Sequence, residues 1–415
     1  MDKTIKSGGY SGILKAPASK SYMQRAIAIA LLAEGETRID NPAINKDSIA
    51  ILKMAQQLGA EITEGPDFFL IQGKRGLKQN HLSVGESGLG VRMFTPIAAL
   101  YDTEIQLNGE GSLLTRPLGM LEDPLRLLGA RIESKNGYLP LKVQGPLKGG
   151  NAEVDGSISS QVLTGLLIAL AKAKQNSKII VHDLKSIPYI DMTIEIMEAF
   201  GVKIQHNHYH TFHIQGNSQY IAQNYEIEGD WSGAAFHLVG GAIAGDIQII
   251  GINTTSVQAD RAIIKALRLA GAHIEIGQGK IRVSKKELKA FYFDATHCPD
   301  LFPPLVVLAA ACKGISEIKG ASRLIYKESN RALALQTEMG KLGIKIELDK
   351  DIMKVYGDEI SGGFIHSHND HRIAMAAAIA GLIASEEIKI IQAEATEKSY
   401  PEFFQDYHSL QIPTP

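Results

Sequence analysis

The sequence contains little cysteine: among its 415 residues only Cys298 and Cys312 carry a thiol. The two cysteines do not form a CxxC pair, and neither lies near histidines at the spacing of metal ligands. Neither a disulfide framework nor a structural zinc site is therefore predicted. The composition instead indicates two buried thiols in a protein of a reducing compartment.

The sequence also lacks an excess of charge of either sign. Lysine and arginine together number 43, aspartate and glutamate number 45, and the formal net charge is -2. No overall field favours nucleic acid or an anionic membrane surface, so any affinity for anions must come from local groups. We therefore expect neither a nucleic acid nor a membrane surface as a partner.

Long hydrophobic runs are absent as well. The longest apolar segments, residues 305–312 and 374–384, are much shorter than the ~20 residues that cross a bilayer. The first twenty residues are interrupted by glycine and proline and contain no apolar run typical of a signal peptide. We expect a cytoplasmic protein with no membrane-spanning helix.

What the sequence does contain is a repeat that is marked by regularly spaced glycines. An apolar residue precedes each glycine and a strand-like segment follows it, at Gly59, Gly129, Gly201, Gly271 and Gly343. Successive glycines are separated by 70, 72, 70 and 72 residues. Because each one follows a helical pattern, we predict that it ends a helix in the left-handed conformation before a strand begins.

The other half of the repeat is an apolar, helix-like run that leads into a short alternating segment. Six copies occupy residues 25–39, 92–107, 160–181, 232–250, 301–318 and 371–391. The helical parts at 163–172 and 374–384 are apolar on almost every side, which is typical of helices that are buried behind sheets. The pattern predicts an α/β fold whose sheets face the solvent.

The length of the chain predicts two domains, because single cores rarely grow beyond roughly 250 residues. The six units divide into two sets of three, and the sixth unit lacks its second half, which the N-terminal strand would complete. We expect a first domain of residues 19–228 and a second domain of residues 1–18 and 229–415. A cleft between the two halves would be the natural ligand site.

Basic and hydroxyl side chains gather where the helices of the repeat begin. The densest group is the segment from Pro17 to Arg25, which contains Lys20 and Ser21 and leads into the first apolar helix. A helix N-terminus beside such groups can bind phosphate or carboxylate, although simple capping with solvated bases accounts for the same residues. Similar groups recur at later helix starts, and this recurrence favours an anionic ligand over capping alone.

Seven motifs in a fixed order extend over the whole chain and resemble the EPSP synthase branch of the enolpyruvyltransferase family. They read LKAPASKSxxxR, GSISSQ, SIPYID, PDLFPP, KESNR, NDHRIAMA and KSYPEFF. The resemblance implies six βαβαββ units in two domains, an inside-out α/β barrel with buried helices. It also implies that phosphoenolpyruvate and shikimate-3-phosphate form 5-enolpyruvylshikimate-3-phosphate and phosphate in the shikimate pathway, without a metal or other cofactor.

The resemblance further implies which residues bind the two substrates. Those that would hold shikimate-3-phosphate, mostly in the first domain, are Ser21, Arg25, Ser159, Ser160, Gln161, Ser186, Tyr189 and Lys327. Those that would hold phosphoenolpyruvate are Lys20, Gly88, Arg116, Gln161, Arg331, Arg372 and Lys398. So many cations suit two substrates that each carry a phosphate and a carboxylate, because their mutual repulsion must be neutralised.

Two carboxylates of the second domain are expected to move the protons. The resemblance implies that Asp300 accepts the proton of the attacking hydroxyl, sharing this task with Lys20, and that Glu328 donates a proton to the methylene carbon. Simpler interpretations are a helix cap for Asp300 and an exposed ion pair of Glu328 with Arg331. His371 is a minor candidate that would orient a neighbour.

Four departures from the family pattern limit what the resemblance implies. Residues 86–89 lack the usual threonine because Leu89 stands in its place, and Met93 stands where proline is common. Arg323 occupies a position that is often asparagine, and residues 229–234 differ from the usual GDxSSA. Glyphosate occupies the phosphoenolpyruvate site in this family. Because of these departures, the sequence predicts neither sensitivity nor resistance to it.

Two alternatives remain open at this point. UDP-N-acetylglucosamine enolpyruvyltransferase shares the fold but usually carries a reactive cysteine in a loop of its first domain, and residues 110–119 contain none. A non-catalytic, anion-binding relative would have no need of both Asp300 and Glu328. Charge and composition are compatible with a monomer, which is the state that we expect.

Overall fold

The structure is a computed structural model, and it describes residues 1–73 and 76–413. The chain folds into two compact units. The middle unit comprises Ala18–Ile227, and the terminal unit comprises Met1–Pro17 together with the chain from Glu228 onward. A ligand-binding cleft between the two units stays a prediction.

Helices and strands alternate through both units. In the described residues the α-helices are α1 (Lys20–Leu32), α2 (Lys46–Gln57), α3 (Gly88–Ala98), α4 (Glu122–Leu127), α5 (Gln161–Leu170), α6 (Ile187–Ala199), α7 (Trp231–Ala244), α8 (Ile263–Ala270), α9 (Phe302–Ala310), α10 (Arg331–Gly340), α11 (His371–Ala380) and α12 (Phe403–Leu410). Short 3-10 helices lie at Gly111–Thr115, Gly119–Leu121, Ala259–Ala262, Pro299–Leu301, Ala321–Leu324, Gly381–Ile383 and Ala393–Lys398.

The strands of the same described residues are short. They are β1 (Lys3–Ile5), β2 (Gly8–Lys15), β3 (Ala33–Glu34), β4 (Glu36–Asp40), β5 (Glu61–Glu64), β6 (Phe68–Gln72), β7 (His81–Ser83), β8 (Ile105–Asn108), β9 (Arg131–Lys135), β10 (Tyr138–Gln144), β11 (Gly150–Asp155), β12 (Ser177–His182), β13 (Gln205–Asn207), β14 (Thr211–Ile214), β15 (Tyr220–Ile221), β16 (Asn224–Glu226), β17 (Gly245–Ile250), β18 (His273–Gly277), β19 (Lys280–Ser284), β20 (Tyr292–Asp294), β21 (Gly314–Lys319), β22 (Ile346–Asp349), β23 (Ile352–Gly357), β24 (Gly363–His366), β25 (Ile388–Ile391) and β26 (Gln411–Pro413).

One sheet pattern recurs through the described chain: a first strand parallel to a second, which is antiparallel to a third. In the middle unit the strand orders are β16-β4-β6-β5, β7-β8-β10-β9 and β11-β12-β14-β13. In the terminal unit they are β18-β19-β17-β2-β26, β20-β21-β23-β22 and β1-β25-β24. The N-terminal strand β1 lies antiparallel to β25 and so supplies a third strand to the last sheet. The predicted α/β class is confirmed, whereas the inside-out barrel stays a prediction.

The glycines of the repeat end helices as predicted. Gly59, Gly129, Gly201, Gly271 and Gly343 have φ angles of 114°, 95°, 86°, 90° and 82°. These values lie in the left-handed region, where a side chain is unfavourable and glycine is not. Gly271, for example, is the C-cap residue of α8 and precedes β18.

The helices that carry the apolar runs form the cores of the units. In the middle unit residues 162–170 of α5 are all buried, and in the terminal unit every residue of α9 and α11 is buried. A Cβ atom at Gly165 of α5 would lie only 2.6 Å from the carbonyl oxygen of Arg92 in α3, so these two helices touch backbone to backbone. This close packing brings the polar starts of α3 and α5 together.

Two further predictions concern membrane spans and thiols. Among the described residues no helix combines the length and the apolar character that a membrane span requires. Cys298 and Cys312 are buried free thiols, as predicted. Burial raises the pKa of the Cys312 thiol to about 12, so it stays protonated and unreactive.

Candidate active site

Lys20 is the first residue of α1, where the resemblance placed a cation. Its Nζ donates to Oδ2 of Asp47 at 2.8 Å, and the two side chains are 17% and 12% exposed. Asp47 lies in the first turn of α2, where the helix dipole favours a carboxylate. Asp47 therefore holds Lys20 in place, and sequence reasoning missed it because an acidic first turn is a common feature of helices.

Arg25 joins α1 to α6 within the core of the middle unit. Nε donates to Oγ1 of Thr193 at 3.0 Å, and the two terminal nitrogens donate to the carbonyl oxygens of Ser21 at 2.9 Å and Tyr189 at 3.1 Å. Burial lowers the pKa of Arg25 to about 10, which nearby tyrosines partly oppose, so the guanidinium remains charged at neutral pH. Arg25 thereby fixes two predicted substrate residues relative to each other.

The start of α5 carries three of the predicted binding residues. Oγ of Ser159 accepts from the backbone N–H of Gln161 at 3.2 Å, so this hydroxyl pairs with one of the N–H groups that have no partner within the helix. Ser160 is buried at the N-cap position. Ser186, the N-cap residue of α6, has a φ of 56°. A left-handed serine is strained, and such strain is concentrated at functional sites.

Arg92 organises the second polar group of the middle unit. Nη1 donates to the carbonyl oxygen of Gly88 and to Oε1 of Gln161, both at 3.1 Å, and Nη2 donates to the carbonyl oxygen of Pro117 at 3.0 Å. The guanidinium of Arg116 lies against Gly88. A Cβ atom added to Gly88 would be only 2.5 Å from Nη1 of Arg116. Arg92 was not among the predicted site residues. Its position as an arginine inside the apolar run of α3 could have indicated a functional role.

Asp300 stands at the centre of the polar network of the terminal unit. Oδ1 accepts from Nζ of Lys327 at 3.1 Å and from Nη1 of Arg331 at 2.9 Å, and Oδ2 accepts from Nη2 of Arg372 at 3.2 Å. Burial favours the protonated form, but the charges of Arg372, Lys327 and Arg331 outweigh it and hold the pKa of Asp300 well below its usual range. The carboxylate is therefore ionised and serves as counter-ion to three cations.

Arg331 is the most completely enclosed cation of this network, with a side-chain exposure of 0%. It donates to Asp300, to Oε2 of Glu328 at 2.5 Å, and to both carboxylate oxygens of Asp370 at 2.9 and 3.1 Å. Burial alone would lower its pKa, but the three carboxylates raise it above the ordinary value. The ion pair between Glu328 and Arg331 exists, yet Glu328 is only 21% exposed, so it is not a surface pair.

Asp370 connects Arg331 to the start of α11. It is fully buried, and its Oδ1 accepts from the backbone N–H of Arg372 at 3.0 Å as the N-cap of that helix. Nζ of Lys398 donates to the carbonyl oxygen of the neighbouring Asn369 at 2.8 Å. Asp370 belongs to the NDHRIAMA motif, but only the structure identifies it as the residue that holds Arg331.

The predicted residues thus form two sets of contacts, each within one unit. In the middle unit, hydrogen bonds connect Ser21, Arg25 and Tyr189. Arg92 joins a second group, in which Gly88 packs against Arg116 and Gln161 is hydrogen-bonded to Ser159. In the terminal unit they connect Asp300, Lys327, Glu328, Arg331 and Arg372. The direct contacts of these residues with substrates stay predictions.

Comparison with known protein families gives a consistent result. A family model described as EPSP synthase (3-phosphoshikimate 1-carboxyvinyltransferase) matches residues 6–407. A curated protein from Clostridium perfringens named 3-phosphoshikimate 1-carboxyvinyltransferase is 38% identical over 405 residues, which cover 96% of each chain. A protein of the same name from Methanosarcina acetivorans is 38% identical over 425 residues, covering 99% of this chain and 98% of the other.

Solved structures resemble this one over the whole chain. An EPSP synthase from Acinetobacter baumannii has a TM-score of 0.83 and 27% sequence identity, with 99% of this chain and 98% of that chain covered. A second structure of EPSP synthase from the same organism has a TM-score of 0.82 at 26% identity. The fold and the sequence comparisons therefore lead to the same family.

Proposed function

Because the chain belongs to the EPSP synthase family, we infer that it transfers the enolpyruvyl group of phosphoenolpyruvate to the 5-hydroxyl of shikimate-3-phosphate. The protein is an enzyme, a 3-phosphoshikimate 1-carboxyvinyltransferase of the shikimate pathway. The observation that carries this conclusion is the match of one family model to residues 6–407, together with relatives of one name along the full length. The UDP-N-acetylglucosamine reaction is not favoured by any of these comparisons.

The reaction requires a proton acceptor and a proton donor. The oxygen of the 5-hydroxyl forms a bond to C2 of phosphoenolpyruvate and loses its proton, while the methylene carbon C3 gains one. In the second step C3 loses a proton and the bond from C2 to the phosphate oxygen breaks, which releases phosphate and leaves the enol ether. Two positioned acid–base groups can carry these transfers.

Asp300 is the proton acceptor of the proposal, and its surroundings explain how it could be activated. In the free protein three cations stabilise its ionised form, and a carboxylate so stabilised is a weak base. If the phosphate and carboxylate of phosphoenolpyruvate pair with Arg331 and Arg372, Asp300 loses part of this stabilisation. Its pKa then rises, and the carboxylate becomes a better acceptor for the hydroxyl proton. In the free protein Asp300 thus occupies the cations that the substrate later uses.

Glu328 is the proton donor of the proposal. It shares Arg331 with Asp300 and Asp370. A substrate anion that pairs with the guanidinium of Arg331 weakens the ion pair between Arg331 and Glu328. The weaker ion pair favours the protonated carboxyl group that a proton donor requires. The arrangement therefore links substrate binding to the protonation of the acid.

The middle unit supplies most of the remaining binding groups of the proposal. Shikimate-3-phosphate would be held by Ser21, Arg25, Ser159, Ser160, Gln161, Ser186 and Tyr189 of this unit, with Lys327 of the terminal unit. Phosphoenolpyruvate would be held by Lys20, Gly88, Arg116 and Gln161 of this unit, with Lys398 of the terminal unit. The proposal draws support from the hydrogen bonds of Arg25 and Arg92, which fix several of these residues without needing a ligand. The cytoplasmic location and the monomeric state stay predictions.

The test is phosphate release from phosphoenolpyruvate, measured with and without shikimate-3-phosphate. We expect release only when both substrates are present, with a product whose mass equals that of 5-enolpyruvylshikimate-3-phosphate. The Glu328→Gln variant should lose at least about a hundredfold in kcat, since a general acid contributes roughly 10² to 10⁴. Release that depends on UDP-N-acetylglucosamine, or no release at all, would overturn the assignment.

A matched control separates the chemistry of Glu328 from a simple change in charge. Glu347 pairs with Lys345 at 2.8 Å, and the two side chains are 46% and 61% exposed on the same unit. Glu347→Gln makes the same substitution at this surface pair, and we expect wild-type rates from it. If both variants lost activity to a similar extent, the role of Glu328 as proton donor would be wrong.

A further inference from the structure

Asp260 is a buried carboxyl group that the proposed reaction does not use. It lies in the 3-10 helix Ala259–Ala262 of the terminal unit and is 3% exposed. The preceding residue, Gln258, accepts from the backbone N–H of Trp231 at 3.1 Å and so ties this segment to the start of α7. Within the described residues Oδ1 of Asp260 has no hydrogen-bond partner.

The surroundings of Asp260 connect it to Arg372. The hydroxyl of Ser232, in the first turn of α7, hydrogen-bonds to the Asp260 carboxyl. The same hydroxyl oxygen accepts a hydrogen bond from Nη1 of Arg372, whose Nη2 donates to Oδ2 of Asp300 at 3.2 Å. Asp260 and Asp300 therefore act on the same guanidinium, Asp260 through a serine and Asp300 directly.

The charges around Asp260 are of both signs. Burial and the negative charge of Asp300 raise the pKa of Asp260 to about 7, Asp230 raises it further, and Arg372 and the Ser232 hydroxyl oppose this rise. The thiol of Cys298 also interacts electrostatically with Asp260, and its own raised pKa keeps it neutral. A second carboxylate beside Arg372 is therefore present only above neutral pH.

We propose that Asp260 is a positioning residue that sets how strongly Arg372 attracts the anionic groups of phosphoenolpyruvate. When Asp260 is protonated, it adds no negative charge beside Arg372, and the guanidinium retains more positive charge for the substrate. When Asp260 is ionised, its negative charge repels the substrate anion and competes for the same guanidinium. The inference rests on the proposed function, because it assumes that Arg372 binds phosphoenolpyruvate.

The direction of the pH effect follows from the sign of the charge. Asp260 is neutral below about pH 7 and ionised above it, so the affinity for phosphoenolpyruvate falls as the pH rises through this region. The coupling is reciprocal: a bound anion beside Arg372 favours protonation of Asp260, and binding takes up part of a proton. Protonation of a single buried acid thus adjusts the binding of a substrate that the acid does not touch.

The experiment measures KM for phosphoenolpyruvate at pH 6 and at pH 8.5, with shikimate-3-phosphate saturating. Asp260→Asn retains the shape of the side chain but cannot ionise. We expect the ratio of KM at pH 8.5 to KM at pH 6 to be on the order of tenfold larger in the wild type than in this variant, the size of one pKa unit of interaction. Ionisation of phosphoenolpyruvate itself affects both proteins equally and cancels in the comparison.

Controls separate this inference from a general effect of charge or folding. Asp246→Asn removes an acid that pairs with Arg282 on the surface of the same unit, and its KM ratio should match the wild type. If Asp260→Asn does not fold, Asp260→Thr provides a neutral side chain of similar volume, and the same smaller ratio is expected. An unchanged ratio in a folded Asp260 variant overturns the inference.

A separate variant shows whether a failure would concern the inference or the proposed function. Arg372→Lys keeps the positive charge but loses the two terminal nitrogens that donate to Ser232 and Asp300 at the same time. KM for phosphoenolpyruvate should therefore rise at least about tenfold. If KM does not change, Arg372 does not bind this substrate and the proposed role fails. If it rises while Asp260→Asn leaves the pH ratio unchanged, only the role of Asp260 is wrong.

Discussion

Replacing Asp300 with asparagine should destabilise the free protein and make its stability depend on added anions. Asp300 accepts hydrogen bonds from Lys327, Arg331 and Arg372 at 3.1, 2.9 and 3.2 Å. Asparagine retains the shape of the side chain but removes the charge. Three cations then lose a shared counter-ion in a region where the Arg331 side chain is fully buried.

The magnitude follows from the burial of the network. Breaking a buried ion pair by removing one partner costs about 3–5 kcal/mol. The Asp300 side chain is 19% exposed, so solvent screens part of this interaction, and we expect a loss of about 2–4 kcal/mol. In a unit of about 200 residues, where 1 kcal/mol shifts Tm by roughly 2–4 °C, this loss corresponds to a fall of about 5–15 °C.

Thermal unfolding in a phosphate-free buffer of low ionic strength measures the loss. Addition of inorganic phosphate should then raise the Tm of Asp300→Asn more than that of the wild type, because the anion can occupy the cations that the carboxylate has left. At a hundred times its Kd an anion stabilises the folded state by about 2.7 kcal/mol. Phosphate should therefore recover much of the lost stability, although not the activity.

Asp294 offers a matched control, since it is an exposed aspartate of the same unit that pairs with Lys319 at 3.0 Å. Asp294→Asn should cost less than about 1 kcal/mol, because solvent-exposed ion pairs contribute little. The reasoning is refuted if Asp300→Asn unfolds within about 2 °C of the wild type, or if phosphate shifts both proteins by the same amount. Either result would show that Asp300 does not neutralise the cations in the free protein.

Two further predictions concern the middle unit. Gly88→Ala should raise KM for phosphoenolpyruvate roughly tenfold with little change in Tm, because the new methyl group displaces the flexible guanidinium of Arg116 rather than the backbone; an unchanged KM in steady-state kinetics would contradict this contact. Arg92→Lys should raise the same KM and lower Tm, since a lysine cannot reach Gly88, Gln161 and Pro117 together and leaves buried acceptors unsatisfied, at a cost of about 1–3 kcal/mol; wild-type kinetics together with wild-type Tm would show that these hydrogen bonds are dispensable.

Features that depend on neighbouring residues in the chain could be predicted from the sequence. The glycines at intervals of 70 to 72 residues end helices in the left-handed conformation, and the runs that are apolar on every side form buried helices. Both signals are local, because helix termination and the burial of an apolar helix depend on a few consecutive residues. The α/β class followed from their repetition.

The motifs identified candidate residues without revealing how those residues act on one another. Asp300, Glu328 and Arg331 could be named in advance, but the shared guanidinium that links them could not. The low pKa of Asp300 also depends on Arg372, a residue 72 positions away in the chain. Sequence order does not indicate such a distance in space.

The sequence by itself determined the repeat, the helix ends, the buried helices and the set of polar residues at helix starts. Only the tertiary structure decided which charges meet: Asp47 with Lys20, Arg92 with Gln161, Asp370 with Arg331, and Asp260 with Arg372 through a serine. The physical reason is that charge interactions depend on separation and burial, and both are set when residues far apart in the chain pack together.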